Sequence, residues 1–353
     1  MTKKELFMSA LRNDQPPKFM GHAFDPFPQG VVFGAGGPEV LFHAVIDPIT
    51  NWDILQFSGE RYKDLWGVTH RYIVGEDPGI IPLTDADNQV IKDMENWSGY
   101  VKFPEIPEDL DWGPAQAQCK AAHERGELVM VPTFRGLFER LHSLRAFECV
   151  MEDLMLCPDE CMEFFDAYLD WKLEVLKQLC DNIDFDIIHS HDDLGAKEKL
   201  FFSPSIFREM LKPRYEKLYA YAHSRGKLVQ HHCDCYISPF AWEFAEINVD
   251  MWQGALPTND IIHIQKQLDE KGLDMLLMGG LESAIIDNPD ATEEEIRAEV
   301  RRAIDTYAPG GHFLPCIGSI NCLYENNEVI VVDEMNKYGA EWVAKHNPDL
   351  PSE

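Results

Sequence analysis

The sequence has few basic side chains and no long apolar run. Its 353 residues include 31 lysines and arginines against 61 acidic residues, a formal net charge of -30. Such a surface repels phosphate backbones and anionic lipids, so the composition argues against nucleic-acid and membrane partners. No apolar stretch approaches the length of about 20 residues that a membrane-spanning helix needs. The N-terminal helix pattern lacks the apolar core of a signal peptide, so we expect a cytoplasmic protein.

The sequence also lacks a regular cysteine framework. Its nine cysteines show no repeated spacing, and a chain of this length can build a core without disulfides. We therefore expect free thiols in a reducing compartment. The length allows one large core or two domains. A homo-oligomer is compatible with this composition.

Residues 1–120 show little regular patterning. Glycine and proline recur there, and aromatic residues such as Phe24 are interleaved with them. This pattern predicts an irregular, aromatic-rich cap over one end of a larger domain, or a lid that lines an apolar substrate pocket. We expect one strand of the main sheet in this part, at 18–21.

From about residue 121, strand and helix patterns alternate with short connections. The strand segments are continuous apolar runs, which indicates burial on both faces of a parallel sheet wrapped by helices. We predict an α/β fold, a (β/α)8 TIM barrel rather than a doubly wound sheet, because polar residues follow nearly every strand. An eighth strand is expected within 121–191 or near 54–55. The other predicted strands are 128–132, 185–189, 228–231, 249–252, 275–278 and 313–314.

Polar residues at the ends of separate strands predict one site at the barrel mouth. Asp192 and Asp193 are predicted catalytic residues that orient a ligand or act as acid or base. Helix capping is the alternative for these two carboxylates. The predicted substrate-binding residues are His22, Phe24, His191 and Gln253.

The segment 227–235, Lys-Leu-Val-Gln-His-His-Cys-Asp-Cys, places two imidazoles and two thiols after a short strand. Side chains i and i+2 share a strand face, so His231 and Cys233 can bind one ion while His232 points away. Cys316 follows another short strand and supplies a third donor. Imidazole and thiolate together suit Zn²⁺. From the residues alone, His232 or Cys235 could replace one of these ligands. A further alternative is that the thiol is simply buried and binds no metal.

The order of several motifs resembles the uroporphyrinogen decarboxylase superfamily. The resemblance covers nearly the whole chain and implies one (β/α)8 barrel domain over 1–353, with an N-terminal strand and capping loops over 1–120 and barrel repeats over 121–353. The motifs are Trp66-Gly67-Val68-Thr69, His191-Asp192-Asp193-Leu194-Gly195, Phe202-Ser203-Pro204, Phe207-Arg208, Lys212-Pro213, the 227–233 segment, Met278-Gly279-Gly280 and Pro309-Gly310-Gly311-His312.

Two branches of this superfamily differ in chemistry. Decarboxylases carry an arginine-rich N-terminal signature that clamps porphyrinogen carboxylates, whereas segment 17–26 contains no arginine. The other branch holds zinc methyltransferases that work with corrinoid proteins. His231, Cys233 and Cys316 fall on the His-x-Cys…Cys zinc positions of its coenzyme M enzymes. His232 and Asp234 depart from that pattern.

The resemblance therefore implies a zinc-dependent methyltransferase of the corrinoid-dependent O-demethylase type, with a small-molecule methyl donor. The aromatic N-terminal part favours a methoxylated aromatic as that donor. No Asp-x-His-x-x-Gly cobalamin motif occurs in the chain, so the corrinoid is expected on a partner protein. The alternatives are a methylcobalamin:thiol methyltransferase, a uroporphyrinogen decarboxylase-like lyase and a metal-free binding protein on the same barrel.

Overall fold

The computed structural model describes residues 2–23, 42–45, 47–49, 61–73, 80–133, 135–318 and 324–349. Its strands are β1 (Phe42–Ala44), β2 (Arg61–Lys63), β3 (Thr69–Tyr72), β4 (Ile80–Pro82), β5 (Leu128–Thr133), β6 (Ile187–His191), β7 (Leu228–His232), β8 (Met251–Ala255), β9 (Leu276–Gly280) and β10 (Phe313–Cys316). Its helices are α1 (Lys3–Leu11), α2 (Gly113–Glu124), α3 (Leu137–Leu144), α4 (Phe147–Leu156), α5 (Pro158–Asn182), α6 (Pro204–Ile206), α7 (Lys212–Ser224), α8 (Glu243–Glu246), α9 (Ile261–Lys271), α10 (Ser283–Ile286), α11 (Glu293–Tyr307) and α12 (Glu325–His346). None of the helices in these ranges is long and apolar enough to cross a membrane.

Seven strands form one parallel sheet in the order β1-β5-β6-β7-β8-β9-β10. Each strand pairs with the next sheet strand along the chain, and helices connect most of them. This is the topology of a TIM barrel, so the predicted α/β barrel is confirmed. The remaining strands, β2 to β4, form a small antiparallel sheet.

The strands predicted after residue 121 are all present, but the prediction of a first strand at 18–21 is wrong. That segment has no strand conformation, and β1 takes the edge position beside β5. The chain just after it still runs beside β1, because the Phe42 N–H donates to the Ala23 carbonyl at 3.0 Å. The expected eighth strand near 54–55 lies outside the described residues. Between 121 and 191 the described residues add no strand besides β5 and β6.

Apolar side chains fill the barrel on both faces of the sheet. Met130 and Met278 pack in the inner cluster, whereas Val129 packs in the outer cluster against the helices. Phe7 of α1 meets Phe42 edge to face, with ring centroids 4.7 Å apart, and fills the N-terminal end of the barrel. Apolar side chains thus occupy the N-terminal end of the barrel. The buried polar side chains lie at the opposite end, where the strands finish.

The described part of the N-terminal cap rests on α5 and α3. Trp66 meets Trp171 of α5 edge to face at 5.0 Å, and the Arg140 guanidinium lies 4.4 Å from the Trp66 ring. Asp64 pairs with His70 at 2.9 Å within the same hairpin. Aromatic and cationic contacts thus hold the cap against the helices at the barrel mouth.

Candidate functional site

Strand alternation turns a set of buried polar side chains towards the barrel interior. The register aligns His191 with His232 across β6 and β7, and His232 with Gln253 across β7 and β8. Since β7 continues regularly to its last residue, Gln230 and His232 share the inner face. The amide of Gln230 accordingly contacts His189 at 2.7 Å.

His191 lies between a carboxylate and a second imidazole. Its Nδ1 is 2.9 Å from Oε2 of Glu139 at the start of α3. Burial lowers the pKa of His191, but the Glu139 carboxylate outweighs burial and raises it overall. The rings of His191 and His232 stack with centroids 4.2 Å apart and planes 20° from parallel. Burial and then the charge of His191 lower the pKa of His232 well below its usual value, so His232 is a neutral imidazole.

Gln253 fixes the tautomer of His232. Its Nε2 donates to the carbonyls of Ile317 at 2.9 Å and Gly318 at 3.0 Å, so its Oε1 must be the atom that faces Nδ1 of His232. Nδ1 therefore carries the proton, and the lone pair of His232 is on Nε2. Gln253 also lies beside Cys316, whose thiol pKa burial raises to about 12.

Asp192 caps α3 and is completely buried. Its carboxylate accepts hydrogen bonds from the N–H groups of Phe138 at 3.0 Å and Glu139 at 2.8 Å, and from the Tyr215 hydroxyl at 2.5 Å. Gly136 permits this close approach, since a Cβ there would lie 2.1 Å from the Asp192 Cβ. Burial and then the charge of Glu139 raise the pKa of Asp192 to about 7. These contacts match the helix-capping alternative, and a catalytic role for Asp192 stays a prediction.

Asp193 points towards the loop that follows β7. Its Oδ1 accepts a hydrogen bond from the Asp234 N–H at 3.0 Å, and burial followed by the charge of Asp234 raises its pKa well above the usual value. The Sγ atoms of Cys233 and Cys235 are 3.2 Å apart. One donor atom from each of Asp193, Cys233 and Cys235 lies within 4.8 Å of the others. A second such group consists of His191, Asp193 and His232.

The three metal ligands predicted from the sequence are not brought together. His231 faces the helices, because its ring packs on Phe244 with centroids 4.4 Å apart and its Nδ1 is 2.6 Å from the Tyr219 hydroxyl. Cys316 is in the inner cluster beside Gln253. Within the described part of the chain, no group of three close donors includes His231 or Cys316.

Of the four predicted substrate-binding residues, His22 lies in the segment before β1. The backbone N–H of His22 donates to Oδ1 of Asn336 in α12 at 3.1 Å, which ties the segment before β1 to the last helix. Phe24 lies outside the described residues. The other two, His191 and Gln253, both contact the stacked imidazole of His232.

Sequence reasoning missed Glu139 and Gly254. Glu139 gave no local signal, since it lies on a helix far from β6 in sequence. Gly254 carried a signal, because a glycine within a strand often marks a close backbone approach. Its φ is +100°, and a Cβ there would lie 2.8 Å from the Asp234 Cα. Only glycine lets the loop after β7 lie this close to β8.

The donors at this barrel mouth fit a zinc ion. Thiolates, neutral imidazole and carboxylate are the protein ligands of Zn²⁺, and three of them with one open position make a catalytic site. The orientation of Asp193 by a backbone N–H, and of His232 by Gln253, is the outer support that metal ligands commonly have.

Comparison with known proteins shows a likeness in fold and identifies the family. A methyltransferase from Methanosarcina mazei shares the fold with a TM-score of 0.61 at 14% identity, over 95% of this chain and 98% of that chain. A glycosylated endo-β-1,4-xylanase from Gloeophyllum trabeum gives 0.36 at 10% identity, over 60% and 70%. A search of curated proteins found no match. The uroporphyrinogen decarboxylase family model matches residues 140–316, from α3 to the end of β10. The chain therefore belongs to the uroporphyrinogen decarboxylase family.

Proposed function

We propose that this protein is a zinc-dependent methyltransferase. It moves a methyl group between a small substrate, favoured as a methoxylated aromatic, and the cobalt of a corrinoid carried by a partner protein in the cytoplasm. The observation that carries the proposal is the cluster of two thiols, a carboxylate and two imidazoles at the mouth of the family's barrel. The likeness in fold to a methyltransferase from Methanosarcina mazei supports it.

The charges near the site argue against the decarboxylase alternative. A porphyrinogen carries several carboxylates and needs cationic side chains to bind them. Segment 17–26 contains no arginine, and the carboxyl groups of Glu139, Asp193 and Asp234 lie around the described imidazoles and thiols. The net charge of -30 also disfavours a substrate with several negative charges, and Arg135 is a cation that lies near Glu139.

The chain's own residues would orient the substrate and exclude water. Zinc, when bound, supplies Lewis acidity, which would polarise an ether oxygen or lower the pKa of an incoming thiol. Gln253 bonds to Nδ1 of His232, which leaves the lone pair on Nε2, so this nitrogen can accept a hydrogen bond from the substrate. Glu139 holds the ring of His191 parallel to that of His232, and the imidazole pair offers a flat surface to an aromatic substrate.

A methyl-transfer assay tests the proposal. Zinc-loaded protein is mixed with reduced cob(I)alamin, free or on a corrinoid protein, and a panel of methoxylated phenols and benzoates. We expect methyl–cobalt absorption to appear together with the demethylated phenol. Chelated protein and Cys233→Ser should be inactive, while Cys149→Ser on α4 should retain activity. Methyl transfer would be rejected if no methyl–cobalt forms with any donor and if methylcobalamin also persists, with no thioether formed, when thiols are added.

A further inference from the structure

We infer that the metal ligands of this protein are Asp193, Cys233 and Cys235, a set that differs from the His231, Cys233 and Cys316 set predicted from the sequence. The inference deepens the proposed function and rests on it for the identity of the metal as zinc. Its basis is that the donor atoms of these three residues lie within 4.8 Å of one another. Cys233 and Cys235 are buried in the outer cluster between the sheet and the helices. Three protein ligands would leave the fourth coordination position of the ion open.

The distances in this cluster suit a tetrahedral ion. Zn–S bonds of about 2.3 Å and Zn–O bonds of about 2.0–2.2 Å place neighbouring sulfur and oxygen donors about 3.5–3.8 Å apart in a tetrahedral site. The Sγ atoms of Cys233 and Cys235 are 3.2 Å apart, so they need to separate by only about 0.6 Å, which small χ1 rotations provide. Asp193 uses Oδ1 to accept the Asp234 N–H, which leaves its other oxygen for the ion.

The backbone of Cys233 is held in place by β8. Its N–H donates to the Gln253 carbonyl at 3.0 Å, and its carbonyl accepts from Nε1 of Trp252 at 2.9 Å. Gly254 makes room for this loop, since a Cβ would lie 2.8 Å from the Cys233 carbonyl oxygen. The first thiol is therefore positioned before any ion binds, which reduces the entropy cost of binding.

The backbone of Cys235 is held independently. Its carbonyl accepts from Nδ2 of Asn259 at 3.0 Å, and Oδ1 of the same buried side chain accepts from the Ile237 N–H at 2.8 Å. Gly195 lies against the loop, since a Cβ there would be 2.4 Å from the Tyr236 carbonyl oxygen and 3.4 Å from Sγ of Cys235. Both glycines leave space for a loop that carries two thiols towards Asp193.

The two competing donor sets are less favourable. His191 and His232 are nearly parallel at 4.2 Å, so an ion in the plane of one ring lies outside the plane of the other, where imidazole has no lone pair. One ring would have to leave Glu139 or Gln253 to bind zinc. In the sequence-predicted set, His231 faces the helices and is enclosed by aromatic rings.

Zinc binding by single variants separates the three sets. The affinity for zinc alone is measured by competition with a chromophoric chelator, without corrinoid or methyl donor. Each of three substitutions removes a donor unique to one set: Cys235→Ser for the inferred set, His232→Gln for the imidazole set and Cys316→Ser for the sequence-predicted set. We expect Cys235→Ser to weaken zinc binding at least about 100-fold, and the other two to change it less than about threefold.

Cobalt substitution provides a second readout. Thiolate-to-cobalt charge-transfer absorption counts the sulfur ligands, so we expect Co²⁺ in the wild-type protein to show two thiolates. Cys233→Ser and Cys235→Ser should each halve this band, and Cys316→Ser should leave it unchanged. Asp193→Asn should weaken metal binding while both thiolate contributions remain in the loaded protein. Far-UV circular dichroism and urea midpoints check that each variant is folded.

The outcomes distinguish this inference from the proposed function. Wild-type zinc affinity and charge-transfer absorption in folded Cys235→Ser would overturn the inferred ligand set. A loss of zinc affinity of about 100-fold in Cys316→Ser or His232→Gln would also overturn it. Methyl transfer by such a protein would still support the proposed function. Zinc held by Asp193, Cys233 and Cys235 without methyl transfer in either direction between cobalt and a small substrate would support the ligand set and reject the function.

Discussion

The hydroxyl of Tyr219 lies 2.6 Å from Nδ1 of His231 on the helix-facing side of β7. The imidazole is completely buried, and its Nε2 has no hydrogen-bond partner among the described residues. Burial, followed by the charges of His191 and His189, lowers the pKa of His231 to about 3. His231 is therefore a neutral ring packed between the strand and the helices. The Tyr219 hydroxyl is the hydrogen-bond partner of its Nδ1.

Removing this hydroxyl should lower stability without affecting the metal. Tyr219→Phe leaves Nδ1 of buried His231 without a partner, and we expect a loss of about 1–3 kcal/mol in the free energy of unfolding, measured with urea. Tyr221→Phe on the same helix removes a hydroxyl bonded to the more exposed Arg225 and should cost less than about 1 kcal/mol. Loss of zinc binding in folded Tyr219→Phe would instead indicate that His231 is a ligand.

Substitution by asparagine should have different effects on stability and zinc affinity at the adjacent residues Asp192 and Asp193. Asp192→Asn replaces an acceptor of two backbone N–H groups at the start of α3 by a side chain with one acceptor atom. We expect a loss of about 2–4 kcal/mol in the free energy of unfolding, because a buried hydrogen-bond network is broken. Asp193→Asn should change stability less and zinc affinity more. Wild-type stability combined with lost turnover in Asp192→Asn would favour the catalytic role predicted for Asp192.

Gly254 should be far less tolerant of a methyl group than Gly272. Both have positive φ, +100° and +63°, but a Cβ at Gly254 meets the Asp234 backbone at 2.8 Å, whereas at Gly272 nothing lies within 4 Å. Gly272→Ala at the end of α9 should therefore cost only about 1 kcal/mol. Gly254→Ala should cost about 3 kcal/mol or more and weaken zinc binding, since it displaces the loop that bears Cys233. Equal effects in urea unfolding would refute the close approach of loop and strand.

His142 should make the protein less stable in mild acid. Its ring lies between Phe138 and Phe147. Burial lowers its pKa from 6.5 to about 4, with Glu139 opposing this shift and Arg135 and Arg140 adding to it.

The sign of the effect follows from proton binding. Between pH 6.5 and about 4 the unfolded chain binds a proton at His142 that the folded chain does not, so stability falls as the pH decreases through this range. We expect His142 to contribute about 1–2 kcal/mol of the loss between pH 7 and pH 5. His142→Phe should reduce that loss in urea unfolding at the two pH values. An unchanged pH dependence would mean that the His142 ring is solvated.

Much of the barrel could be predicted from local patterns. The apolar runs of β5 to β10 are buried on both faces and stand out in the sequence. The helix α11 begins at a capping box of Thr292 and Glu295, whose spacing is also readable in the sequence. The first strand was misplaced because β1 has only three residues. Such a short strand is defined by its pairing with β5, and residue preferences alone do not reveal it.

The candidate site was predictable as a location more than as a set of ligands. Strand ends of a barrel meet at one rim, which is why the sequence predicts one site from His191, Asp193, Cys233 and Gln253. Their shared role in a site stays a prediction. In the sequence, Cys235 is only an alternative ligand, because the pair of residues i and i+2 that begins at His231 ends at Cys233. The pairing of β7 with β6 and β8 instead puts His232 on the inner face.

The sequence by itself determined the barrel, the rim that carries the polar residues and the segment rich in thiols, because these depend on local hydrophobic patterns and on the order of strands. Only the tertiary structure decided which of two adjacent histidines faces inward and which carboxylate caps a helix. A strand's period of two defines two faces equally well, and the choice between them depends on partners far away in the chain, such as Gln253 for His232 and Tyr219 for His231.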